Sequence, residues 1–171
     1  ILKLGNFFDV SDEDWENSFQ VNLMSAVRLC RLSIPALRES FCPRIINISS
    51  IAASNPQEIF PHYNAMKAGL SNLTVSLAQT LAEDGICVNT ISPGPVWSRS
   101  WEQEAEAQGS GSSFEEAKKN IMEQTGESIP LKRMGMPEDL TGLALFLASE
   151  QSSWITASNF TVDGGLTRNP F

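Results

Sequence analysis

A single tyrosine occurs in the 171 residues, Tyr63, and a lysine, Lys67, stands four places after it. Residues four apart lie on one face of a helix, so a helix here would give a phenol and an ammonium a common environment. A free phenol ionises near ~10, and bringing it to work as an acid or base near neutrality takes about 3 to 4 kcal/mol. A neighbouring cation acts in that direction. Thirteen residues upstream, Ser50 ends the apolar run that begins at Arg44. The carboxyl ends of strands in parallel sheets are where ligands bind, and a hydroxyl there could hold a substrate oxygen; Ser49 is the adjacent alternative. Asn22 stands beside Leu23, near an apolar stripe, where its amide needs partners. It could relay a hydrogen bond or simply bond its own neighbours. Taken alone, Tyr63 and Lys67 also fit an ordinary helical pair with a packed ring and a snorkelling ammonium. His62, the one histidine, titrates in a useful range, but it points elsewhere on the helix, so a loop or surface role is expected.

The elements that must position these groups are legible in outline. Ser11-Asp12-Glu13-Asp14 is an N-cap followed by acids that suit a helix start. Trp15, Phe19, Leu23, Val27, Cys30 and Ile34 then repeat at helical spacing, which predicts a helix from about 12 to 38, kinked or interrupted near Pro35. Residues 44–49 and 86–91 read as buried parallel strands. A second long helix is expected over 60–83, with Leu70, Leu73, Leu77 and Leu81 on one face. Pro137-Glu138-Asp139 opens a short helix reaching about Ser149, and Asn159 to Val162 is the last strand, closed by a turn at Gly164-Gly165. Residues 97–128 differ: Glu-rich, interrupted by Gly109-Ser110-Gly111-Ser112-Ser113, with no composition for a core of their own. They read as a mobile substrate lid whose Trp97, Trp101, Ile121 and Met122 either line a pocket or pack the lid onto the body.

The balance of charge narrows the partners. Twelve Lys and Arg against twenty Asp and Glu leave a net charge of −8, and no basic run exceeds two residues, so neither nucleic acid nor an anionic membrane is an expected partner. No apolar stretch approaches a membrane span and no secretory pattern opens the chain, so a cytoplasmic protein is expected. Three scattered cysteines and one histidine make neither a disulfide framework nor a zinc site, so no metal is expected. Three Asn-x-Ser/Thr matches, at Asn47, Asn72 and Asn159, are read as chance.

The run from Asn47-Ile48-Ser49-Ser50 to Tyr63-Asn64-Ala65-Met66-Lys67-Ala68-Gly69-Leu70 resembles the active-site segment of the short-chain dehydrogenase/reductase family. Other landmarks follow in the family's order: Val21-Asn22-Leu23, Val88 to Val96 through Ser92-Pro93-Gly94-Pro95, Arg133 to Asp139, and Val162-Asp163-Gly164-Gly165. The resemblance covers essentially the whole chain. It implies an α/β fold, part of a doubly wound parallel Rossmann-like sheet with helices on both faces, with residues 1–171 a single domain. It also implies an oxidoreductase that uses NAD or NADP to interconvert a secondary alcohol and a ketone, similar to 3-oxoacyl-carrier-protein reductases and sugar or polyol dehydrogenases.

Carried onto this chain, the family's roles make Tyr63 the general acid/base. Lys67 would lower the pKa of Tyr63 and hold the nicotinamide ribose, Ser50 would polarise the carbonyl, and Asn22 would hold a water leading to Lys67. Pro93 and Gly94 would flank the nicotinamide, the Val96 backbone would read its carboxamide, and Ser98 would keep the hydroxyl of the usual Thr at the pyrophosphate. Ala157 stands where a Gly is common. The helices at 12–38 and 60–83 would pair with their copies in a homodimer or homotetramer. The family's opening strand, glycine-rich turn and Asn-Ala-Gly strand end do not occur among these residues. The expectation is therefore a catalytic half without its adenosine half, inactive and weakly binding on its own, with the strand at 44–49 uncovered on one side. The rival reading is a noncatalytic fragment or degenerate relative.

Overall fold

A computed structural model describes residues 3–108 and 113–168. Helix α1 (Asp12–Phe19) starts with a reciprocal cap: the Ser11 hydroxyl accepts from the Asp14 N–H, and the Asp14 carboxylate accepts from the Ser11 N–H. Two of the first-turn donors that a helix leaves unpaired are satisfied this way. The helix then passes through a π-helical turn, Gln20–Met24, into α2 (Ser25–Leu37). The break in the long first helix therefore falls at Asn22, and the backbone runs through Pro35 without interruption. The widened turn lets α3 (Pro61–Thr80) come close, since a Cβ on Gly69 would stand 3.4 Å from the Leu23 side chain.

The sheet has three parallel strands in the order β1 (Arg44–Ile48), β2 (Cys87–Pro93), β3 (Asn159–Val162). Ile45 pairs with Val88 and Ile48 with Ile91, while Ile91 pairs with Phe160 on the other side. Only β2 is buried nearly end to end. The expectation of a buried strand at 44–49 is met only in part, since β1 and β3 form the sheet's two edges among the described residues. Ile48 is 49% exposed.

Helix α3 covers the sheet face carrying Ile45 and Val88, where Leu77, Ala78, Leu81 and Ile86 close an apolar cluster. The same face carries a buried polar seam. Asn47 donates to the Thr74 hydroxyl at 2.9 Å, Thr90 to the same oxygen at 2.8 Å, and Thr74 donates to the Leu70 carbonyl at 3.0 Å. Helix α6 (Glu138–Ala148) also packs on β1 and β2.

The segment at 97–128 buries more apolar surface than its composition suggests. It forms α4 (Arg99–Gln108) and α5 (Phe114–Ser128), and Trp97, Ala105, Ala117 and Ile121 join Met134 in a buried cluster. Small alanines on the facing sides let two otherwise acidic helices close together, a pattern that overall composition hides. Trp97 packs in this cluster, capped by the Lys118 ammonium 5.2 Å from its ring centroid. The Gly109 to Ser112 part of the expected lid lies outside the described residues. No helix among the described residues is long and apolar enough to cross a membrane.

Candidate active site

The Ser49 N–H still donates to the Ile91 carbonyl at 2.8 Å, so Ser50 is the first residue beyond the ladder, at the carboxyl end of β1. Ser50 caps a short 3₁₀ turn, Ile51–Ala53, its oxygen accepting from the Ala52 N–H at 3.1 Å. That bond occupies a lone pair and fixes the rotamer, leaving the hydroxyl proton to be aimed elsewhere. It lies beside Tyr63, near enough for the hydroxyl to favour the ionised phenol. Ser49 has other work. Its hydroxyl, buried, donates to the Lys67 carbonyl at 2.9 Å and accepts from Ser71 at 2.9 Å, which distinguishes the two candidates by partner.

Helix α3 opens with Pro61 in its first turn, where a missing N–H costs nothing and φ is already helical. Tyr63 follows in that turn and Lys67 one turn later. The Lys67 ammonium lies 5.5 Å from the centre of the Tyr63 ring and donates to the Ile48 carbonyl at 2.8 Å. Burial pushes the Tyr63 phenol above its ordinary 10, and the neighbouring Ser50 hydroxyl opposes that shift. Burial also holds Lys67 below its ordinary 10.5. The ammonium is thus turned toward a strand-end carbonyl at the edge of β1, with two of its three donors left for other partners.

Asn22 is placed apart from this trio. Its amide donates to the Ser18 carbonyl and hydroxyl, each at 3.2 Å, so the neighbour-bonding alternative is the geometry seen. Asn22 and Lys67 nevertheless line one groove of about 420 Å³ along the free edge of β1.

Past the end of β2, the Gly94 N–H donates to the Val162 carbonyl at 2.9 Å, and a Cβ on Gly94 would fall 2.8 Å from the Asp163 Cα. Glycine is required there by β3. Val96 forms an isolated parallel bridge with Gly135: Gly135 donates to the Pro95 carbonyl at 3.0 Å and Trp97 donates to the Gly135 carbonyl at 2.9 Å. In such a bridge the flanking residues make the bonds, so the N–H and C=O of Val96 itself face away from Gly135. This is the donor and acceptor pair that a carboxamide needs, and the chain fits a nicotinamide at this point. Ser98 is exposed just before α4, its carbonyl accepting from Glu102.

Three contributors were not singled out by their spacing. Gly135 seats Val96, held by a turn in which Arg133 pairs with both Asp139 oxygens at 2.6 and 2.7 Å. Phe60 sets its ring edge on Tyr63, with centroids 5.9 Å apart at 87°; the aromatic pair three residues apart was a readable signal. Asn64 is 6% exposed, and its amide holds the Gln57 carbonyl at 2.6 Å. His62 overturns the surface expectation. It is 2% exposed, edge-on to Trp15 of α1 with centroids 6.1 Å apart, and burial holds its pKa below 6.5. Its position one residue before Tyr63 turns it under α1, a contact no local pattern announces. Among the described residues no three His, Cys, Asp or Glu side chains gather as a metal site requires.

A family model described as enoyl-(acyl carrier protein) reductase matches residues 1–167. Acetoacetyl-CoA reductase of Cupriavidus necator is 29% identical over 160 residues, covering 94% of this chain and 60% of that protein. The 3-oxoacyl-(acyl-carrier-protein) reductase FabG of Rickettsia conorii is 36% identical over 157 residues, covering 92% of this chain and 60% of that protein. Among solved structures, L-sorbose reductase of Gluconobacter frateurii, complexed with NADPH and L-sorbose, superposes with a TM-score of 0.89 at 30% identity, covering 99% of this chain and 64% of that one. The chain thus spans about six-tenths of the length of each. With a match of this extent and a parallel α/β sheet that places Ser50, Tyr63 and Lys67 together, the chain belongs to the short-chain dehydrogenase/reductase family.

Proposed function

We propose that this chain carries the catalytic residues of an oxidoreductase that interconverts a secondary alcohol and a ketone with NAD or NADP. The observation that carries this reading is the grouping at the carboxyl end of β1, where Ser50 stands beside the Tyr63 phenol and the Lys67 ammonium lies 5.5 Å from the centre of the same ring. When bound, the nicotinamide supplies or accepts the hydride. The residues of this chain do the rest. In the reducing direction Tyr63 gives its phenolic proton to the carbonyl oxygen, while the Ser50 hydroxyl, its oxygen already anchored by Ala52, donates to the charge developing there. Lys67 stabilises the phenolate that results and uses its remaining donors on the ribose hydroxyls. Asn22, across the same groove, holds a water that connects Lys67 to solvent. Pro93, Gly94 and the Val96 peptide groups would hold the nicotinamide, and Ser98 would hold the pyrophosphate.

The substrate is a small alcohol or ketone, with 3-oxoacyl thioesters and sugars the classes suggested by the relatives' names. The whole 1–171 chain is read as one domain in which the pair α4 and α5 moves as a lid over that substrate. Pairing between copies through α2 and α3 is supported by the exposed Leu29, Leu32 and Val75. The working compartment is the cytoplasm, consistent with three free cysteines among the described residues. The test is reduction of acetoacetyl thioester and L-sorbose with NADH and NADPH by a protein containing this chain, comparing wild type with Tyr63→Phe. Turnover that depends on the phenol supports the reading, and equal rates in both would overturn it. Sedimentation of the same preparation should show a dimer or tetramer.

A further inference from the structure

The segment before α3 is held at several points, to the helix and to Gly5. The Ile59 carbonyl accepts from the Gly5 N–H at 2.7 Å, the Gln57 carbonyl accepts from the Asn64 amide at 2.6 Å, and the Phe60 ring stands edge-on to Tyr63. The residues around these anchors, Asn55 to Glu58, are exposed, so the anchors and not burial set the path of the segment. Asn64 is the unusual member. Its side chain is buried and its Oδ1 has no hydrogen-bond partner, an uncompensated cost that an apolar residue of similar volume would avoid. What Asn64 obtains in return is one bond, to the carbonyl three residues before Phe60.

We propose that Asn64 is a positioning residue for the proposed acid/base: by clamping the Gln57 carbonyl it holds the Phe60 ring against Tyr63 and so fixes the orientation and dryness of the phenol. The geometry has a direct chemical consequence. Partial burial raises the phenol's pKa, and the Phe60 ring, edge-on with centroids 5.9 Å apart, covers part of the Tyr63 ring. Releasing the 57–60 segment admits water to the ring and returns its ionisation toward that of a free phenol. Ser50 is anchored by Ala52 and Lys67 by the Ile48 carbonyl, neither through Gln57 or Phe60, so the shift reports the contribution of the clamp.

The inference rests on the reading of Tyr63 as acid/base only for its kinetic part. Because Tyr63 is the sole tyrosine of these 171 residues, the near-ultraviolet absorbance of the phenolate in an alkaline titration of this chain reports this residue without any turnover. Asn64→Leu, which keeps volume and removes both polar atoms, is expected to lower the Tyr63 midpoint toward 10 while the far-ultraviolet circular dichroism stays that of the wild type. Phe60→Leu is expected to move the midpoint the same way, and the double variant no further than Phe60→Leu alone, since both act on one contact. Where Asn64→Leu fails to fold, Asn64→Ser, too short to reach Gln57, takes its place. In turnover assays the same variants should lower kcat with the cofactor Kd unchanged. A Tyr63 midpoint that stays at the wild-type value in a folded Asn64 variant, or shifts that add fully in the double variant, would overturn the clamp. A shifted midpoint with no activity in any form, wild type included, would leave the clamp standing and count against the oxidoreductase reading.

Discussion

The two ends of α3 are built to different standards. From Leu70 onward the helix is packed as a structural element: Leu70, Thr74 and Ala78 are buried against the sheet, and Thr74, 1% exposed, meets Asn47, Thr90 and the Leu70 carbonyl in a seam where each of these side chains is paired. Its first two turns contain instead a phenol and an ammonium whose ionisations are displaced in opposite directions, and both buried orphan side-chain atoms found among the described residues, His62 Nδ1 and Asn64 Oδ1. Local rules of polar satisfaction are obeyed where the helix only has to stay put and broken where it presents Tyr63. Such breaches concentrate at functional sites.

Substitutions at the two ends should therefore separate activity from stability. The largest effect is expected at Tyr63: Tyr63→Phe keeps the ring and removes the proton, so turnover should fall ~100-fold or more with little change in cofactor affinity or unfolding midpoint. Lys67→Met should lower both turnover and cofactor binding, measured by steady-state rates and by fluorescence titration with NADPH; loss of only one would divide the two roles assigned to the ammonium. At the other end, Leu70→Ala should lower unfolding free energy by about 2 to 5 kcal/mol in urea. Thr74→Val should cost about 1 to 3 kcal/mol, because Asn47 and Thr90 lose their shared acceptor inside the core. Both should leave the Tyr63 titration in place; if either moves it, the two ends are less separate than their contacts indicate.

The smallest expected effect is a pH slope from His62. Burial is the main cause that holds its folded pKa below the unfolded 6.5, with Lys3 acting in the same sense and Asp14 against it. Below about 6.5 the unfolded chain binds a proton that the folded chain refuses, so stability should fall as pH drops through that value and level off once the folded pKa is passed. Above 6.5 the group contributes no slope. His62→Phe should flatten this part of the urea-midpoint profile, and an unchanged slope would exclude His62 as its source.

What could be read from the residues, and what could not, follows the range of the interactions. Strand and helix positions were legible to within a few residues because burial imposes a period on each: the Ile-rich run before Ser49 became β1 and the Asn159 to Val162 run became β3. Ser50, Tyr63 and Lys67 were legible because the strand end and the first two turns of α3 bring them together once those two elements exist. The resemblance to a known family added roles for Asn22, Pro93, Gly94, Val96 and Ser98 that composition and spacing do not contain. The π turn at Asn22 was hidden, since the extra residue leaves the apolar spacing of the first helix nearly unchanged. So was the cluster around Trp97 and Met134, whose members come from segments that look too polar to bury anything.

By itself, the sequence determined the elements and the chemical groups at their ends, because hydrophobic period, caps and turn residues act over a few positions. Tertiary structure alone decided which neighbours those groups received. That Ser49 serves Lys67 while Ser50 serves Tyr63, that His62 lies dry beneath Trp15, and that Val96 turns its peptide groups away from Gly135 all depend on contacts between segments distant in the chain. Desolvation at such contacts is the main cause that displaces the ionisation of Tyr63 and Lys67 from their ordinary values.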